Sequence, residues 1–257
     1  MGEILLETKK LSKHFGGIIA NEKIDFSIDR GEIVAIIGPN GSGKTTFYNL
    51  LTGITPSTSG SIWFEGKNIT KKKPEQITKL GISRTFQNIR LFGGMTVAEN
   101  ILVARHCRTC AGLLDAVVNS EKKRREEAGC CDIVAHCMDY VGISEMRDWK
   151  ARNLPYGMQR RLEIARALAA EPKLLLLDEP AAGMNPQETL ELAHFIREIR
   201  KNFNLTVFII EHHMELVMEI SDRIYVIEFG RQIAEGTPGQ VQNDPRVIEA
   251  YLGGDVS

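Results

Sequence analysis

Residues Gly38-Pro39-Asn40-Gly41-Ser42-Gly43-Lys44-Thr45 match the phosphate-binding pattern G-x-x-x-x-G-K-[ST] at every fixed position. No other stretch constrains the fold so strongly, because the pattern works only as a turn between a strand and a helix. Glycines at 38, 41 and 43 permit backbone angles that let successive N–H groups turn inward around phosphate oxygens. Lys44 adds a point charge for the β- and γ-phosphates, and the Thr45 hydroxyl suits Mg²⁺ without crowding the phosphates with more negative charge. The flanks agree: Ile33 to Ile37 reads as a buried strand, and Thr45 to Leu51 as a helix whose N-terminal dipole faces the anion. The dinucleotide fingerprint G-x-G-x-x-G fails, because Thr46 stands where its third glycine belongs. The candidate nucleotide cradle is therefore Gly38, Pro39, Asn40, Gly41, Ser42, Gly43, Lys44, Thr45 and Thr46, with a nucleoside triphosphate and Mg²⁺ as the expected ligands.

A chain of 257 residues, 43% hydrophobic and 25% charged, accommodates one elaborate α/β domain with a helical appendage. The net charge of −1, from 32 basic and 33 acidic residues, supplies no global field for nucleic acid, and none is expected as a partner. The local runs Lys71 to Lys73 and Lys122 to Arg125 read as solvated faces. No apolar run approaches the ~18 residues of a bilayer span, and the opening residues, with Glu3 and Glu7, lack the build of a signal peptide. A cytoplasmic chain is the expectation.

Five cysteines cluster at Cys107, Cys110, Cys130, Cys131 and Cys137. Cys130, Val134, Cys137 and Val141 follow helical spacing, so Cys130 and Cys137 are expected as buried thiols on one apolar stripe. Cys107-x-x-Cys110 lacks a second pair at zinc-finger spacing, and a reducing compartment argues against disulfides.

Along the chain, Ile4 to Thr8, Lys23 to Ile28, Ser61 to Glu65 and Ile82 to Phe86 read as strands. Phe15, between the first two, is either a core ring or a platform for a nucleotide base. Residues 96 to 153 turn helical, as a subdomain inserted into the α/β core. Leu154 to Gln159 opens a helix running to about Ala170, with Leu162, Ala165 and Leu168 buried and Arg160, Arg161, Glu163 and Arg166 on the wet face. Leu174 to Leu177 is a buried strand ending in Asp178-Glu179, where open α/β sheets bind ligands. Asn185, Pro186 and Glu188 start the next helix as N-cap, N1 and N3, and Leu192, Ile196 and Ile199 bury it. Thr206 to Ile210 is a further strand closed by Glu211-His212-His213. A hairpin turning at Gly230 and a helix around Arg246 to Leu252 complete the chain.

A phosphate loop, Gln87 after an aromatic, Leu154-Pro155-Tyr156-Gly157-Met158-Gln159 at a helix start, a strand ending in Asp178-Glu179, and His212 after a later strand occur here in one order. That ordered set resembles the ATP-binding cassette (ABC) family of transporter ATPases over essentially the whole chain. The resemblance implies an α/β P-loop NTPase core of ABC ATPase type, about 1–95 and 160–257, with an N-terminal antiparallel β subdomain and a helical subdomain at about 96–159. It further implies that Phe15 stacks on adenine, that Gln87 senses Mg²⁺ and the attacking water and touches the membrane partner, and that Asp178 holds Mg²⁺ through water. Glu179 is then the general base, and His212 contacts the γ-phosphate and orients Glu179. Hydrolysis at a γ-phosphate needs a metal, a cationic clamp and a group that aligns water, which agrees with this division.

Two positions depart from the family pattern. Pro155 replaces the signature serine and offers neither a hydroxyl nor an N–H, so Gly157 and the helix N-terminus carry more of that contact. Asn185 stands where an aspartate is usual, either as a plain N-cap or in signalling across the dimer. The signature residues Leu154, Tyr156, Gly157, Met158 and Gln159 are expected to close on nucleotide bound to a second ATP-binding cassette. Separate transmembrane permease subunits, at the cytoplasmic face of the inner membrane, are also implied, with a periplasmic or extracellular solute-binding protein as an indirect partner. Arg84 to Phe92, Met95 to Asn100, Arg160 to Arg166 and Asp244 to Leu252 resemble the larger cassette of branched-chain amino-acid importers. Urea or amide uptake, lipopolysaccharide export and a soluble non-transport ABC ATPase stay open as alternatives.

Overall fold

The computed structural model describes residues 2–105 and 121–252, apart from the side chains of 121–128 and 252. In chain order the elements are β1 (Ile4–Phe15), β2 (Ile18–Asp29), β3 (Ile33–Ile37), α1 (Lys44–Leu51), β4 (Ser59–Phe64), β5 (Lys67–Asn68), α2 (Pro74–Leu80), β6 (Ile82–Arg84) and α3 (Val97–Arg105). There follow α4 (Glu121–Val141), α5 (Tyr156–Ala169), β7 (Leu174–Asp178), α6 (Pro186–Asn202), β8 (Thr206–Ile210), α7 (Met214–Ile220), β9 (Arg223–Glu228), β10 (Arg231–Gly236), α8 (Pro238–Gln242) and α9 (Pro245–Leu252). The chain forms two compact units, residues 1–77 with 173–257, and residues 78–172.

The first unit holds two sheets. One is antiparallel, in the order β2-β1-β4-β5. In the other, the strands of this unit run β10-β9-β3-β8-β7, with β3 parallel to β8 and β9, β7 parallel to β8, and β10 antiparallel to β9. β3, β7 and β8 are buried at every position, as continuous apolar strands covered on both faces must be. Phe26, Phe47, Phe208 and Tyr225 tie β2, α1, β8 and β9 together, with ring centroids 5.4 Å apart for Phe26–Phe47, 5.2 Å for Phe26–Phe208 and 4.6 Å for Phe26–Tyr225. β1 and β2 are longer than their alternation suggests. Bulges interrupt their register, and Lys10 and Lys23 sit at φ 48° and 49°, so the period-2 pattern breaks while the hairpin continues.

In the second unit, Cys130, Val134, Cys137 and Val141 are all buried on α4, as their spacing requires. Cys130, Cys131 and Cys137 are free thiols; Cys107 and Cys110, and the side chains of Lys122 to Arg125, lie outside the described residues. β6 stops at Arg84, two residues short of the strand expected from sequence. The Phe86 ring is instead held by the guanidinium groups of Arg84 and Arg90, 4.1 and 5.0 Å from its centroid, and its N–H donates to Glu163 Oε1 at 3.2 Å.

The wet face read for α5 also needs correction. Arg161 is exposed and Arg166 half-buried, but Arg160 and Glu163 are each 1% exposed. Arg160 Nη1 lies 2.7 Å from Glu163 Oε2 and also donates to the Phe86 carbonyl at 3.1 Å. The segment around Phe86 and Gln87 therefore belongs with α5 in the second unit, which runs from 78 to 172, whereas the helical periodicity read from sequence covers 96 to 153.

Candidate functional site

The turn from β3 to α1 forms a cradle that needs glycine at three positions. Gly38, Gly41 and Gly43 sit at φ 152°, 78° and 104°. A Cβ on Gly38 would fall 2.0 Å from Ile227 O, and one on Gly43 would fall 2.2 Å from Ala20 O. Neighbouring elements hold the cradle from outside: Gly230 N donates to Ser42 O at 2.9 Å, and Asn21 Nδ2 to Gly43 O at 3.2 Å. Tyr251 on α9 hydrogen-bonds the Gly38 backbone, and burial pushes its phenol up. Sequence reasoning placed neither Tyr251 nor Asn21 here, because both contacts join residues distant in the chain.

Lys44 is buried, and its Nζ donates to Gly38 O at 2.7 Å and Pro39 O at 2.9 Å. Burial pulls its pKa below the ordinary lysine value, while the Glu179 charge acts in the opposite direction. Pro39 is half-buried, Asn40 and Thr45 are exposed, and Thr46 is half-buried at the first turn of α1. Phe15, at the end of β1, is 49% exposed with Lys13 Nζ 4.7 Å from its ring centroid. It is a solvent-facing ring rather than a core one, as a base-stacking platform must be.

Asp178 ends β7, buried and paired in register with Ile210 of β8. Glu179 follows in the left-handed region at φ 45°, held there by its N–H to Ile210 O at 2.9 Å. The turn sends the two carboxylates different ways, Asp178 into the buried strand end and Glu179 to a half-exposed position 3.7 Å from His212 Nδ1. His212 follows β8 and is exposed. Thr45, in the first turn of α1, and Asp178, at the end of β7, are hard oxygen donors, a set whose chemistry fits Mg²⁺. Thus the first unit itself carries Phe15, the cradle, Lys44, Asp178, Glu179 and His212.

The second unit carries Gln87 and the signature segment. Gln87 is exposed, and its carbonyl accepts from Arg160 Nη2 at 3.3 Å. Pro155 is the N-cap of α5, with no side-chain cap bond. Tyr156 and Gly157 are exposed at N1 and N2, Met158 is half-buried, and Leu154 is buried. Gln159 Nε2 donates back to Leu154 O at 2.8 Å, bracing this helix start. In the first unit, Asn185 caps α6 in a complete capping box: Glu188 N donates to Asn185 Oδ1 at 3.0 Å and Asn185 N to Glu188 Oε2 at 2.9 Å.

Residues 21–182 match the family model described as ABC transporter, and residues 231–257 match that of the branched-chain amino acid ATP-binding cassette transporter. The chain is 46% identical over 253 residues to the high-affinity branched-chain amino acid transport ATP-binding protein LivG of Escherichia coli (strain K12), covering 98% of this chain and 99% of that protein. It is 44% identical to the corresponding protein BraF of Pseudomonas aeruginosa, at the same coverage of both chains. Among solved structures, the ADP conformation of an ATP-binding cassette of an ABC transporter superposes with a TM-score of 0.83 at 32% identity, covering 97% of this chain and 99% of that one.

Proposed function

This chain belongs to the ABC transporter family, and on that premise we propose how its residues divide the work of ATP hydrolysis in a branched-chain amino-acid importer. The chain is an ATP-binding cassette, and its hydrolysis of ATP drives transport. The observation that carries the residue assignment is the placement of the glycine cradle, Lys44, Asp178, Glu179 and His212 within one compact unit, with Glu179 and His212 3.7 Å apart.

The cradle N–H groups and the α1 N-terminus bind the phosphates, and Lys44 exchanges its two carbonyl partners for phosphate oxygens, which carry full charge and bind an ammonium more strongly. Phe15 stacks on the base. Thr45 and Asp178 are the residues of the first unit that would hold Mg²⁺, which neutralises phosphate charge when bound. Glu179 accepts a proton from the attacking water, and His212 orients the Glu179 carboxylate. Leu154, Tyr156, Gly157, Met158 and Gln159 bind the nucleotide of a second cassette, with exposed backbone at the α5 N-terminus in place of a serine hydroxyl. Transmembrane permease subunits dock at the cytoplasmic face of the membrane, around Gln87, and receive solute from an external binding protein.

Glu179→Gln tests the assignment. It keeps ATP binding while hydrolysis falls by at least ~100-fold, the scale of removing a general base; undiminished turnover in a phosphate-release assay would remove Glu179 from the role.

A further inference from the structure

Glu211 lies at the C-terminal end of β8 with 0% exposure. A buried carboxylate is costly unless its lone pairs are satisfied, and here four donors satisfy them. Oε1 accepts from Ala181 N at 2.8 Å. Oε2 accepts from His212 N at 2.8 Å, His213 N at 3.1 Å and His213 Nδ1 at 3.1 Å. A carboxylate can only accept, so the His213 ring carries its hydrogen on Nδ1.

These donors come from two segments far apart in the chain. Ala181 belongs to the turn that begins at Glu179, where Ala182 N closes on Glu179 O at 3.2 Å. His212 and His213 begin the segment after β8. One carboxylate thus joins the backbone that carries Glu179 to the backbone that carries His212, and between those backbones lies the 3.7 Å spacing of the two side chains. We propose that Glu211 is a positioning residue for hydrolysis: buried away from nucleotide itself, it sets the distance and orientation between Glu179 and His212. This inference rests on the assignment of those two residues made above.

The chemistry requires a carboxylate. Glutamine has one acceptor oxygen, and its amide would present N–H to N–H on one side, so Glu211→Gln keeps one segment and releases the other. In the cassette co-purified with its membrane partners, this variant loses about tenfold or more in turnover while ATP affinity stays within about twofold, because misplacing a catalytic group by ~1 Å costs up to ~100-fold. The loss is also non-additive: on a His212→Ala background, Glu211→Gln costs less than about twofold further. A purely structural role would multiply in full.

Wild-type turnover in folded Glu211→Gln, or full multiplication with His212→Ala, overturns the proposal. If Glu211→Gln does not fold, Glu211→Asp takes its place, since it keeps both acceptor oxygens but withdraws them by about 1.5 Å. Lowered turnover at unchanged ATP affinity then supports the role, and wild-type turnover overturns it. The single variants Glu179→Gln and His212→Ala separate the two ways of failing. If both suppress hydrolysis and the Glu211 variants do not, only the positioning role falls. If neither does, the site assignment falls and the positioning role falls with it.

Discussion

Gly43 sits at φ 104° with Ala20 O 2.2 Å from where a Cβ would stand, so any side chain there must displace backbone. Gly43→Ala is expected to weaken ATP binding at least ~10-fold, a strain of the order that a disfavoured backbone angle and a clash impose. Titration with a fluorescent ATP analogue checks this, and unchanged affinity would mean that the cradle tolerates rearrangement. Glycine, lysine and hydroxyl at fixed offsets are legible in sequence because the constraint is local: the loop must turn within eight residues. Glu211 was not legible. Its four partners lie on two segments that only the β7–β8 pairing brings together, and as text it is one acidic residue after a strand.

At the scale of elements, α5 shows where periodicity misleads. A 3.6-residue pattern distinguishes apolar from polar positions but cannot tell a wet polar face from one covered by other chain. Arg160 and Glu163 look solvated in sequence, yet Phe86 and Gln87 cover them and turn them into a buried ion pair with backbone partners. Arg160→Met leaves the Glu163 carboxylate buried without its counter-charge, at an expected cost of about 3 kcal/mol in unfolding free energy. Adding Glu163→Leu recovers part of it. Denaturant melts measure both, and an unshifted midpoint in the single variant would show that the pair is not buried in solution.

The α4 stripe was legible because Cys130, Val134, Cys137 and Val141 are apolar in both type and spacing. Burial pushes the Cys137 thiol up to about 11. At pH 8, below that value, Cys137 stays a protonated thiol and reacts slowly with alkylating reagents, whereas exposed Cys131 is modified first. Mass spectrometry of the alkylated protein reads the order, and equal rates at the two positions would contradict it.

At the scale of the whole molecule, the five ordered motifs named the family although each is modest alone, because the order itself carries the specificity. The division into 1–77 with 173–257 and 78–172 was harder to place from sequence. β6 reads as a core strand, yet the chain that follows it bonds to α5. No helix among the described residues is long and apolar enough to cross a membrane. The motor lies in this chain and its cargo outside it. The measurement that tests both at once is ATP-driven leucine uptake into vesicles containing this chain with its co-purified membrane partners, with Glu179→Gln as the inactive control. Leucine accumulation with the native chain and none with Glu179→Gln is the predicted result; ATP hydrolysis without leucine uptake would contradict the branched-chain assignment.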